Sequence, residues 1–106
     1  MARQRGERGH EARALLLLGE LEGVDAHFLA AASIAQDLGL RPLLARAELA
    51  RGILARRQGR TEAARQHLST ARAMLRDMDM RHWLALAEAE LAALGPDPGP
   101  PPLRPG

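Results

Sequence analysis

The chain contains no cysteine, lysine or tyrosine, and its 106 residues include one phenylalanine and one tryptophan. Without cysteine there is no disulfide framework, no thiolate metal site and no thiol nucleophile. Without lysine and tyrosine almost nothing titrates between histidine and arginine, so the sequence pI of about 10.9 reflects missing buffering groups; the formal net charge is only +2. With Phe28 and Trp83 as the only aromatic bulk, any core must be built from leucine and alanine. Long apolar runs are missing too. The stretch Ala14 to Leu18 falls far short of the ~20 residues of a membrane span and is flanked by charge. Arg3, Arg5 and Arg8 are interrupted by Glu7 and Glu11, which argues against a transit peptide. No membrane association and a cytoplasmic location are therefore expected. None of the glycines forms a GxxxxGK[ST] or GxGxxG loop, so no nucleotide or other cofactor is expected.

Proline and glycine crowd the C-terminus. Residues 95–106 are too rich in both to join a core and should form a disordered tail, with Pro100 to Pro105 short of a complete PxxPxR ligand because Gly99 occupies the needed proline position. Residues 1–9 are polar with Gly6 and Gly9, and a disordered lead-in is expected there. Residues 10–94 remain as a single foldable domain.

Within it the apolar spacing is helical throughout. A first helix begins near His10, carries Leu15, Leu16, Leu17 and Leu18, and ends at Gly23. Asp25 can cap a second, which runs through Phe28, Ala31, Ile34, Ala35 and Leu38 to Gly39. Pro42 opens a third, with Leu43, Leu44, Ala47, Ala50 and Leu54 on one face. Gly59 stops it, and Thr61 can cap a fourth that continues to about Asp77 with Ala64, Leu68, Ala71, Met74, Leu75 and Met78 inward. A fifth starts near Arg81 and carries Trp83, Leu84, Ala87, Leu91 and Leu94. The joints are a few residues long, so neighbouring helices must run antiparallel.

A shift of about 40 residues superposes the sequence on itself: His27 on His67, Ala31 on Ala71, Asp37 on Asp77, Arg41 on Arg81, Leu44-Ala45 on Leu84-Ala85 and Ala47-Glu48 on Ala87-Glu88. The second and third helices thus repeat as the fourth and fifth. The expected fold is all-α, with about five helices in antiparallel hairpins stacked as a short α-solenoid.

The placement of Gly52, Gly59, Ala64, Leu68 and Ala71 resembles a tetratricopeptide repeat, in which small residues let paired helices approach closely and a bulkier one fills the gap. A wider likeness covers roughly residues 6 to 92. Gly6-Glu-Arg-Gly-His-Glu-Ala12, Leu17-Leu-Gly-Glu20, Leu38-Gly-Leu-Arg-Pro-Leu43, Arg56-Arg-Gln-Gly-Arg60, Met78-Asp-Met-Arg-His-Trp-Leu84 and Ala87-Glu-Ala-Glu90 resemble the C-terminal tetratricopeptide tail of large bacterial signalling proteins. Those couple a class III adenylate or guanylate cyclase domain, or another regulatory module, to a nucleotide-binding ATPase. The resemblance implies a non-enzymatic scaffold that binds a protein partner or the upstream repeats of a parent protein, with Gly52, Gly59, Ala64, Leu68, Ala71 and Trp83 as helix-packing residues.

The chain departs from that pattern in two places. Counted from Leu15, Gly19 falls within the first helix, but counted back from Ala31 it falls at the turn; about seven residues, two helical turns, are missing from the first hairpin. Its leading helix should be short. Arg51 stands where a repeat usually buries an aliphatic side chain, and its guanidinium is expected to snorkel to solvent, while Ala55 stands where an aromatic is common.

Other chemistry finds little footing. His10, His27, His67 and His82 form no HExxH-like pair, so no metal site is expected. Ser33, Ser69, Thr61 and Thr70 lack a base at recognisable spacing. Glu88 and Glu90 fall on different sides of a helix. Between Arg41 and Arg65 seven arginines face two glutamates, a local charge of about +5, yet Arg46, Arg51 and Arg56 are five apart and spiral around their helix. The segment Gly59 to Arg65 also resembles the opening of the helix-turn-helix of bacterial Fis-like activators, a DNA-binding alternative, but Gln66 to Leu75 continues without the required breaker. Specific nucleic-acid binding is not expected.

Leu15, Leu16, Leu17 and Leu18 advance by about 100° each and so surround the first helix. Leucines left uncovered would form an apolar contact surface, covered by upstream repeats or by the same helix of a second copy in a two-fold dimer.

Overall fold

A computed structural model describes the backbone of residues 2–95 and the side chains of residues 8–95. Among the described residues the chain is all-α, with α1 (Ala2–Glu22), α2 (Asp25–Leu38), α3 (Arg41–Arg57), α4 (Thr61–Asp77) and α5 (Arg81–Leu94). Each packs antiparallel on its neighbour, and α3 also touches both α1 and α5. No helix among the described residues is long and apolar enough to cross a membrane. The expected tail lies outside the described residues apart from Gly95.

Burial follows from the central position of α3. Its Leu43 and Ala47 join Ala12, Leu16, Phe28, Ala31 and Ala35 in one cluster, while its Ala45, Leu49 and Ala55 join Ala64, Leu68, Ala71, Leu75 and Ala87 in another. Alternating residues of α3 thus serve two cores, so Ala45, Leu49 and Ala55 escape a search for a single apolar stripe. By contrast α4 packs mainly along one side, and its buried residues are the Ala64, Leu68, Ala71 and Leu75 that its periodicity marks.

Three joints share one geometry. The amides of Leu40, Arg60 and Met80 donate to the carbonyls of Ala35, Ala55 and Leu75, at 2.8, 2.8 and 2.9 Å. The residue before each amide is left-handed: Gly39 at φ 70°, Gly59 at φ 77° and Asp79 at φ 54°. This is the six-residue closure that satisfies the last carbonyls of a helix. It makes the residue after the left-handed one the N-cap of the next helix. The cap of α4 is consequently Arg60, and that of α2 is Val24, which follows Gly23 at φ 67°; neither makes a side-chain capping bond, and the expected caps Asp25 and Thr61 each sit one residue inside the helix.

The N-terminus differs from the sequence expectation. Helix α1 begins at Ala2 instead of His10, so residues 2–9 are helical and the first helix, at 21 residues, is the longest of those described, not a short one. Alanine, arginine, glutamine and glutamate are all good helix formers, and Gly6 and Gly9 cost only about 1 kcal/mol each against alanine. Arg8 reaches across to Asp37 of α2 at 3.2 Å, which ties this turn to the hairpin.

Candidate interaction surface

Helices α1, α3 and α5 lie side by side, whereas α2 and α4 do not touch. The three adjoining helices therefore form one continuous face. A cleft of about 130 Å³ on it is lined by Leu16 and Glu20 from α1, Arg46, Leu49, Ala50 and Ile53 from α3, and Trp83 and Leu86 from α5. A second cleft of about 260 Å³ shares Glu20, Ala50 and Ile53 and extends to Gly19, Phe28, Leu54 and Arg57. The Arg46 guanidinium carbon sits 4.5 Å from the centre of the Trp83 ring, and His82 meets the same ring edge-on at 5.1 Å. A cation held over an indole contributes about 0.5–1 kcal/mol where it stays exposed. The surface is thus apolar at its floor, with charged groups at its rim.

The glycines explain why the helices come so close. A Cβ on Gly52 would lie 2.6 Å from Leu68 Cγ, and a Cβ on Gly19 would lie 2.5 Å from Phe28 Cε1. Gly19 is therefore the packing glycine of the first hairpin, as Gly52 is of the second. Gly52 precedes Gly59 by seven residues and Leu68 follows it by nine; the corresponding steps around Gly23 are four and five. The seven missing residues are thus real, but they are taken from the C-terminal end of α1 and the N-terminal end of α2, about one turn from each. The first hairpin is short only at its turn. That leaves Phe28, Ile53 and Leu54 bordering the larger cleft.

The same shortening accounts for Arg51. Its Nε and Nη2 donate to the two carboxylate oxygens of Asp25 at 3.0 and 3.2 Å, and its side chain is only 19% exposed. It does not reach for solvent, because the start of the trimmed α2 delivers an acid to it. Glu48 lies 3.8 Å from Arg51 and accepts from His67 Nδ1 at 2.9 Å, so one polar chain links α2, α3 and α4. The spiral of arginines resolves the same way: Arg46 goes to Trp83, Arg51 to Asp25 and Arg56 to Glu90 at 2.6 Å.

Of the residues singled out for packing, Ala64, Leu68 and Ala71 are fully buried, Gly52 is buried at the crossing, and Trp83 packs partly buried against the second cluster. Gly59 belongs to the joint and nothing approaches the position of a Cβ there, so its role is backbone conformation, not packing. The four leucines expected as a partner contact divide. Leu16 is 4% exposed, joins the first cluster and shows only its edge to the floor of the smaller cleft, and Leu15 packs partly buried against the same cluster; Leu17 and Leu18 are 58% and 41% exposed. The cause is the helical rotation itself, since a helix covered on one side hides two successive residues and shows the next two. Leu21, three residues beyond the leucine run, is the most exposed member of the open patch at 75%.

His27 pairs with Glu22 at 2.7 Å and His67 with Glu48, and no group of three or more metal-ligating side chains gathers among the described residues. Glu88 and Glu90 point to different partners, Arg76 at 3.8 Å and Arg56. The Gly59–Arg65 segment is the joint followed by the opening turn of α4, which runs unbroken to Asp77. Comparisons of the chain with family models, with curated proteins and with solved structures return no match.

Proposed function

We propose that this chain is a non-catalytic protein-interaction scaffold of the tetratricopeptide type, belonging to a larger bacterial signalling or regulatory assembly, and that the face built by α1, α3 and α5 receives a segment of a partner protein. The observation that carries this reading is the paired cleft on that face, with apolar Leu16, Leu49, Ile53 and Leu86 from three helices framed by Glu20 of α1 and Arg46 and Arg57 of α3. Such a floor with a charged rim suits an extended or helical peptide, with apolar side chains for affinity and rim charges for orientation. Conformational freedom is already low there, because the lining side chains stand on packed helices.

Trp83 lines this face and is the only tryptophan of the chain, so its emission reports occupancy. Peptides selected from a random library against the full chain should change Trp83 fluorescence saturably, and Ile53→Arg should weaken them at least tenfold with helicity unchanged. Selected peptides that bind without moving the Trp83 signal and tolerate Ile53→Arg would place recognition elsewhere and defeat the proposal.

A further inference from the structure

The internal repeat gives a template for the uncovered side of α5. On α3 the residues that face α4 are Ala45, Glu48, Gly52 and Ala55: three share the α4 crossing and its cluster, and Glu48 takes the hydrogen bond of His67. Shifted by 40 residues they become Ala85, Glu88 and Ala92 of α5 and Gly95 just past its end. Ala85, Glu88 and Ala92 are exposed, and the last three of the four border an open cleft of about 560 Å³ whose other wall carries Arg65, Ser69 and Arg72 of α4. So α5 presents the same small-residue surface with which α3 holds a helix, and among the described residues no helix lies on it.

The opposite end of the molecule carries the complementary feature. On α1, Ala14, Leu18 and Leu21 are exposed at the spacing of Ala64, Leu68 and Ala71, the strip by which α4 seats on α3. Leu17 widens the apolar area, and Glu11 and Glu22 stand at its two ends, both exposed. The signs of charge choose the pairing. Two copies joined α1 to α1 as an antiparallel pair would bring Glu11 of one against Glu22 of the other at both ends, and two joined α5 to α5 would bring Glu88 against Glu88. Placing α1 of one copy on α5 of the next sets acids against Arg65 and Arg72, with the one acid of that surface, Glu88, already paired to Arg76.

We infer that the chain associates with a second copy of itself head to tail, α1 of one protomer lying along Ala85, Glu88 and Ala92 of its neighbour. The contact is heterologous, so successive copies extend the repeat array in one direction instead of closing a two-fold dimer. This is independent of what the α1, α3 and α5 face binds.

Sedimentation velocity on the full chain over a concentration series tests it. The wild type should gain mass with concentration beyond a dimer and lose it as salt is raised. Leu18→Arg with Leu21→Arg blocks one end, and Ala92→Arg blocks the other; circular dichroism checks that each stays helical, and Arg72→Glu serves as an alternative block that leaves the small residues of α5 in place. Each blocked protein alone should remain monomeric, and an equimolar mixture of the two should form a one-to-one dimer through the one intact pair of ends. A wild type that stays monomeric overturns the inference. So does an α5-blocked protein that still dimerises alone, which would mean an α1-to-α1 contact, and so does a mixture that fails to pair.

Discussion

Replacing Gly52 by alanine adds one methyl group, and its sign on stability is set by competing effects that the structure separates. In an open helix interior the change gains about 1 kcal/mol through backbone entropy and propensity. At Gly52 the new Cβ would stand 2.6 Å from Leu68 Cγ, 2.7 Å from its Cδ2 and 3.1 Å from its backbone nitrogen. Leu68 is fully buried, so neither it nor the backbone of α4 can retreat without repacking the second cluster. Overpacking of this kind costs about 1–3 kcal/mol, which leaves Gly52→Ala destabilised by about 1 kcal/mol and Gly52→Leu by more. For a domain of this size 1 kcal/mol moves Tm by about 4–8 °C. Gly9 supplies the matched control: a Cβ there would meet only Leu40 Cδ1 at 4.0 Å, so Gly9→Ala should raise Tm by a similar amount. Thermal unfolding followed by far-UV circular dichroism on the pair decides the matter. If Gly52→Ala melts above the wild type, as Gly9→Ala should, the α3–α4 crossing is not at Gly52 and the register derived from it fails.

Three further outcomes are expected. Asp25→Ala should destabilise more than Arg51→Leu in chemical denaturation, because it leaves a largely buried guanidinium with only the longer contact to Glu48 whereas leucine fills the space; a lost hydrogen bond to a charged group is worth about 1.5–3 kcal/mol, reduced here by that contact and by the partial exposure of Asp25. Asp79→Gly should leave Tm level or raise it, and Asp79→Val should lower Tm through a loss of about 1–2 kcal/mol of stability, since the left-handed φ of 54° is hardest on a β-branched residue. Leu16→Asp should abolish cooperative unfolding while Leu17→Asp leaves it intact, a contrast between neighbours that only a one-sided cover of α1 produces.

The helices were legible because each signal is local. Gly23, Gly39 and Gly59 supply the left-handed joints, Pro42 opens α3, and the strip of α4 has one face to satisfy. The 40-residue shift, which sets Asp79 on Gly39, conveyed the fourth joint as well, although Asp79 replaces the glycine. What escaped was non-local. The seating of Arg51 on Asp25 joins residues 26 apart and depends on how α2 was trimmed, which no property of either residue reveals. The division of α3 between two clusters required knowing that helices lie on more than one side of it. The leucine run announced hydrophobicity around a whole circumference, but which half is open depends on where Phe28 and Leu43 lie. The start of α1 at Ala2 was obscured by Gly6 and Gly9, which read as breakers and are tolerated instead.

The balanced trimming of the first hairpin shows how such an array can change length without changing its fit. Each residue removed from a helix turns everything beyond it by about 100°. Taking three residues from one arm and four from the other returns each face to within about 60° of its former direction. Gly19 can then still meet Phe28 as Gly52 meets Leu68. Insertions and deletions in this architecture should therefore be accepted in steps of a whole turn per arm and rejected one residue at a time, and the rim at each hairpin tip becomes the place where an array acquires a new contour while its crossings stay fixed.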